Sequence, residues 1–198
     1  MPLLRNKIDA GVDIEAYLAS LGRVMVTNMG STTTPISFAS AGGVTLARPH
    51  AWVRVPTDTA IIVFSAAVEL EDSAGTDNEI AAVSAAIDVA NGTSSAATVA
   101  PTSTSRNLTP AYTSLCTARQ LATADVTVTG AAFIELDRWV YPFADATTDP
   151  VKKYTYSSKS DWLVGPATFL LYIYGTTTAP AGFVQIRFGE VPSTWVNG

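Results

Sequence analysis

Residues 165–191 read GPATFLLYIYGTTTAPAGFVQIRFGEV. Every residue of 169–174 is apolar or aromatic. A strand built from them has two greasy faces, so it must be packed on both sides. The run is far too short to cross a bilayer as a helix. Beyond a loop of Gly, Thr, Ala and Pro, Val184, Ile186 and Phe188 alternate with Gln185 and Arg187. That alternation predicts a half-exposed strand. The loop 175–182 is expected to join the two as an antiparallel pair. An edge as apolar as FLLYIY would invite aggregation, so that strand must be central in its sheet or covered by another subunit.

The rest of the chain reads as strand upon strand. RVMVT (23–27) and PISFA (35–39) are short. AWVRVP (51–56) alternates, with Val53 and Val55 opposite Trp52 and Arg54, and Pro56 stops it because it cannot donate to a ladder. In AIIVFSAAVELED (60–72), Ile62, Phe64, Ala66, Val68 and Leu70 are expected inward. EIAAVSAAIDVA (79–90) has alanines that would suit a helix. It lies between turn-like DSAGTDN and NGTSS, however, which favours a strand with Ile80, Ala82, Ser84 and Ala86 on one face. Residues 91–114 have few large apolar anchors and predict an exposed loop or extended chain held by neighbours. DVTVTGAAFIELDRWVYPF (125–143) is strand again, with Ile134, Leu136 and Val140 opposite Glu135, Asp137 and Trp139, and VKKYTYS follows. The one convincing helix is 11–22, where Ile14, Tyr17, Leu18 and Leu21 recur at i, i+3, i+4, i+7. Asp13 can cap its start and Gly22 can end it in a left-handed conformation. Its apolar face must lie on the end of the sandwich or on a neighbouring subunit.

These elements predict an all-β fold: an antiparallel two-sheet β-sandwich with a short N-terminal helix. A jelly roll is the leading topology. An immunoglobulin-like sandwich is the alternative, and it lacks the usual Cys…Trp…Cys spacing. The expected division is an N-terminal helix and arm over 1–30 and a sandwich domain over 31–198.

Charge narrows the function. Charged residues are only 15% of the chain, against roughly 25% in an average soluble domain. A surface so poor in charge suits close contact with other protein. The net charge is −5 and only Lys152 and Lys153 are adjacent cations, so no basic cluster exists to bind nucleic acid. The segment MPLLRNKIDAGVD carries charges where a secretory leader needs an apolar core, which predicts synthesis in a cytoplasm and no membrane partner.

No residue pattern announces catalysis. His50, the only histidine, follows a proline and reads as a strand-edge residue rather than a triad base. Cys116, the only cysteine, reads as a small buried hydrophobe. Glu135 and Asp137, two apart on a strand, should share a face, the outline of a glycosidase pair, but such pairs are common on wet strand faces. The acidic turn ELEDSAGTDNE offers Asp72, Asp77 and Glu79 as weak calcium candidates. Its spacing fails the EF-hand pattern, and a solvated turn is the expectation. No catalytic residue, cofactor or metal is expected. Trp52, Trp139, Trp162, Trp195, Tyr141, Tyr154 and Tyr156 could line a sugar platform, or anchor the core and subunit interfaces, where Trp and Tyr are enriched. The second reading is favoured. The expected interface residues are Ile14, Tyr17, Leu18, Leu21, Trp139, Tyr141, Trp162 and Trp195.

Two segments resemble a known class. VRVPTDTAIIVFSAAVELEDSAGTDNE, and WLVGPATFLLYIYGTTTAPAGFVQIRFGEVPS with its G-P-A-x-x-L-x-Y core and closing F-x-x-I-R-F-x-E strand, resemble jelly-roll structural proteins of bacteriophage particles, the capsid decoration (cement) proteins and their relatives. The resemblance covers roughly 50–80 and 160–193. It implies a virion protein that forms a homo-oligomer, a trimer above all, binds the major capsid protein and stabilises the shell without catalysis. No Arg-rich arm is present, which argues against direct genome binding. A receptor- or carbohydrate-binding module of a phage tail or head fibre is the alternative.

Overall fold

A computed structural model of the chain describes residues 11–30, 33–40, 48–72, 77–85, 95–97, 99–101, 112–120, 133–141, 152–158 and 161–197. Helix α1 (Ile14–Ser20) starts at Asp13, whose side chain accepts a hydrogen bond from the Ala16 N–H at 3.2 Å. It ends as its sequence predicts. Gly22 takes φ 67°, its N–H reaches the Ala19 carbonyl, and the Arg23 N–H reaches the Leu18 carbonyl.

The strands are β1 (Val24–Met29), β2 (Ile36–Ser37), β3 (Ala39–Ser40), β4 (Ala51–Val55), β5 (Thr59–Asp72), β6 (Asn78–Ala85), β7 (Ser95–Ala97), β8 (Val99–Pro101), β9 (Thr117–Gln120), β10 (Phe133–Tyr141), β11 (Lys152–Tyr156), β12 (Trp162–Val164), β13 (Ala167–Gly175) and β14 (Ala181–Pro192), followed by the short helix α2 (Thr194–Asn197). They form two sheets. One runs β11-β5-β14-β1-β8, with β12 beside β5 and β2 beside β14; the other runs β10-β6-β13-β4-β9-β7, with β3 beside β13.

The long pairs are nested. β1 pairs β14, β4 pairs β13, β5 pairs β11 and β12, and β6 pairs β10, all antiparallel. Early strands therefore pair with late ones from the outside of the sequence inward, as in one long hairpin rolled around a barrel. This is the jelly roll. Its consequence corrects one expectation: β13 and β14 are not an antiparallel pair. The 175–182 connection carries the chain from one sheet to the other, and each strand finds its partners elsewhere.

All residues of β13 are buried, as two apolar faces require. Phe169, Leu171 and Ile173 face the core between the sheets, with Val53, Val55, Ile80, Val184, Ile186 and Phe188. Leu170, Tyr172 and Tyr174 face outward into a second buried cluster with Trp52, Ala81 and Val83. A third cluster lies on the outer face of the other sheet, where Leu18 packs with Ala60, Ile62 and Val191. Helix α1 thus lies on its own chain's sheet. Arg187 of β14 ties it down through an ion pair with Glu15 at 2.7 Å.

Two of the bulges redirect side chains. In β5 the register with β14 slips so that Arg187 opposes Ser65 and Phe188 opposes Val63, leaving Phe64 as the extra residue. Ala66, Val68 and Leu70 point inward as expected, but Ile61 and Val63 replace Ile62 and Phe64, which turn outward toward α1. In β10 a slip between Glu135 and Asp137 makes Leu136 the extra residue. Residues 95–97 and 99–101, expected as exposed loop or chain held by neighbours, are paired within the chain: β7 with β9, and β8 with β1.

Candidate functional site

Most of the chemistry foreseen in the sequence is taken up by structure. His50 is buried, and its Nδ1 accepts the Ile173 N–H at 3.0 Å. The rings of Phe38 and Tyr174 stand edge-on to it. Burial drives its pKa down to about 3, so the ring is neutral and acts as an acceptor. Cys116 is buried in the core, and burial raises its thiol pKa well above the usual range, away from the nucleophilic form. The bulge at Leu136 separates the two carboxylates expected on one face. Glu135 lies opposite Val83 on the outer side, where Arg138 binds it and holds its carboxyl below the usual range. Asp137 lies opposite Ala82 on the inner side, where it accepts the Tyr154 hydroxyl at 3.1 Å. Of the calcium candidates, Glu79 is ion-paired with Arg138, Asp77 is exposed, and the Asp72 side chain lies outside the described residues. Among the described residues no group of three or more His, Cys, Asp or Glu gathers as a metal site.

The expected interface residues divide. Leu18 is fully buried, and Ile14, Tyr17, Trp162 and Trp195 pack around its cluster. Trp195 also lies under the Arg23 guanidinium at 5.3 Å. Leu21 caps the helix C-terminus, half-buried. The rings of Trp139 and Tyr141 are tilted against each other with centroids 5.0 Å apart, and the Tyr154 ring lies 6.1 Å from Trp139. Trp139 and Tyr154 thus bring the edge strands β10 and β11 together at this point.

One polar centre escaped the sequence reading. Glu190 is fully buried on the inner face of β14, opposite Ile61. Its carboxylate accepts from the Tyr112 hydroxyl at 2.7 Å, the Leu115 N–H at 2.8 Å and the Ser114 hydroxyl. Arg23 covers the Tyr112 ring at 4.2 Å. This carboxylate closes the end of the sandwich by pinning 112–116 to the last long strand. The lone E of the closing F-x-x-I-R-F-x-E pattern gave no hint of it, because its donors come from 75 or more positions upstream.

What stays open is the edge of the sandwich. Among the described residues β10 pairs only with β6, and β11 and β12 pair only with β5. Between these edges lies a cleft of about 480 Å³, walled by Val63, Ile134, Leu136, Tyr156, Leu163 and Trp162, with Ser84, Ser158 and Asp161 among its polar groups. Through Leu136, Tyr156, Ser158 and Asp161 it continues into a groove of about 470 Å³ that reaches Asp137, Thr155 and Ser157. At its mouth Ile134 is 63% exposed, and Val140 further along β10 is 60% exposed. A second recess, of about 550 Å³, lies on the outer sheet face. Its polar groups satisfy one another: Gln185 donates to Asn28 at 2.9 Å, and Lys153 lies 3.9 Å from Glu69.

Fold and site together define a jelly-roll β-sandwich that, among the described residues, leaves a cleft open between β10 and β11–β12. No family model, curated protein or solved structure matches this chain. No helix among the described residues is long and apolar enough to cross a membrane.

Proposed function

We propose that this protein is a structural subunit that binds copies of itself and reinforces a virion shell, as a decoration or minor capsid protein. The observation that carries the reading is the β10 edge, which no other described strand covers. A strand edge presents unpaired N–H and C=O groups, and folded proteins ordinarily blunt it with charge, proline or a cover. Here Ile134 and Val140 stand more than half exposed along it. Glu135 and Glu79 are both held by Arg138, so the charges along this stretch are drawn into ion pairs with one another. Such an edge is stable once a neighbour covers it. A trimer, the arrangement that the resemblance to phage proteins implies, would set this edge head to tail against a different face of the next copy. Reinforcement is then mass action: a subunit that binds only the assembled lattice stabilises it.

Sedimentation velocity at micromolar concentration tests the association. The expected result is an oligomer that Val140→Lys dissociates into subunits that keep their strand content by circular dichroism and lose only the stability that association lends. A monomer throughout that range, or an oligomer indifferent to both Val140→Lys and Ile134→Lys, overturns the reading. Electron microscopy of the native assembly tests the virion assignment.

A further inference from the structure

We propose that Leu115 of one copy enters the cleft between β10 and β11–β12 of the next. The inference rests on the self-association proposed above, and it names the second of the two faces that a head-to-tail contact needs.

Leu115 is 62% exposed, and its backbone is fixed on both sides. Its N–H donates to the buried Glu190 carboxylate at 2.8 Å, the Ser114 hydroxyl before it donates to the same carboxylate, and Cys116 after it is buried in the core. The turn is thus ordered before any partner arrives, and docking its side chain costs little further entropy. Tyr112 binds the same carboxylate oxygen, and the half-buried Arg23 covers its ring. Tyr and Arg are the residue types enriched where interfaces are anchored. Among the described residues the other exposed large hydrophobics are Ile134 and Val140, which belong to β10 itself, and Val12, at 37%.

The cleft complements this turn. Val63, Leu136 and Leu163 give it apolar walls, and about 480 Å³ takes a leucine side chain with part of the turn that carries it. The exposed Asp161 at the cleft is opposite in sign to Arg23 beside Leu115. Turn and cleft also lie at one level on opposite sides of the sandwich. Thr117, just after Leu115, opposes Arg54, and the rung continues through Thr168 and Ala85 to Phe133, next to Ile134 at the mouth of the cleft. Four strand spacings separate its ends, roughly 19 Å. Complementary faces so far apart cannot meet within one copy, but each can meet its counterpart on a neighbour. Because they share one level, the contact repeats around an axis along the strands with little climb, which closes a ring rather than a filament.

Sedimentation velocity of two exposed-site variants, alone and mixed, tests the assignment. Leu115→Lys keeps the backbone N–H that binds Glu190, and Ile134→Lys places a cation at the cleft mouth. Each alone should weaken association roughly thirtyfold or more. Mixed in equal amounts at micromolar concentration, they should form heterodimers and stop there. The intact Leu115 of the Ile134→Lys copy fits the intact cleft of the Leu115→Lys copy, whereas the second contact would bring the two lysines together. An oligomer indifferent to Leu115→Lys, or no heterodimer in the mixture, overturns this inference and leaves self-association through β10 standing. A wild-type chain that is monomeric throughout overturns both.

Discussion

Replacing Glu190 separates a buried carboxylate that holds the fold together from one that merely fills space. In Glu190→Ala the Tyr112 hydroxyl, the Ser114 hydroxyl and the Leu115 N–H all lose their acceptor. A buried donor left without a partner costs about 1–3 kcal/mol. Their surroundings are only partly buried, so water can reach some of them, and the expected loss is about 3–6 kcal/mol. That is a large part of the roughly 5–15 kcal/mol that holds a domain together. Glu190→Gln is a milder change. Its carbonyl can occupy the Oε1 position and keep Tyr112 and Leu115. Its amide can donate to the Ser114 oxygen, which already accepts the Cys116 N–H at 3.1 Å. Only the extra strength of a charged acceptor and one hydroxyl proton are lost, about 1–2 kcal/mol. Urea unfolding measures both. With a slope of about 2 kcal/mol per molar, a 4 kcal/mol loss moves the midpoint by about 2 M. Hydrogen exchange at the Leu115 amide should accelerate in Glu190→Ala well beyond Glu190→Gln. Equal losses in the two variants, or a Leu115 amide protected as before in Glu190→Ala, would refute the clasp.

Two further predictions concern the core. His50 is neutral in the folded state with a pKa of about 3, against about 6.5 unfolded, so folding releases a proton at intermediate pH. Stability from this residue is complete above about pH 6.5 and falls as pH drops from there toward 3. Near pH 4.5 the loss is about 2–3 kcal/mol. His50→Gln, which can still accept the Ile173 N–H, should flatten the difference in urea midpoint between neutral and mildly acidic buffer; an unchanged difference counts against the assignment. Gly182 sits at a bulge where a Cβ would run into the backbone of Glu69 and Leu70, so Gly182→Ala should cost about 1–3 kcal/mol in thermal unfolding, and a neutral result would mean that β5 and β14 approach less closely.

Much of the fold was legible because face alternation and capping are local. The α1 boundaries follow from Asp13, Gly22 and the i, i+3, i+4 pattern, each acting within a turn or two. The burial of β13 on both faces follows from residues 169–174 alone. The errors occur where a partner strand intervenes. The alternation of 59–72 holds from Ala66 onward and inverts before it, because the pairing with β14 inserts Phe64 as a bulge. The same device moves Glu135 and Asp137 to opposite faces, which dissolves the carboxylate pair that spacing alone implied. The helix gave its apolar face but not its target. Only the packing shows that Leu18 is spent on Ile62 and Val191 of its own chain.

By itself, then, the sequence determined the strands, the helix and the need to cover a two-faced apolar strand, since each depends on neighbours a few positions away. The tertiary structure alone decided which sheet each strand joins, that β13 and β14 part company, that Glu190 pins 112–116 to the last long strand, and that among the described residues no strand covers the seam beside β10. Those outcomes depend on pairings between residues far apart in the chain, such as Val24 with Gly189, and no local periodicity encodes them.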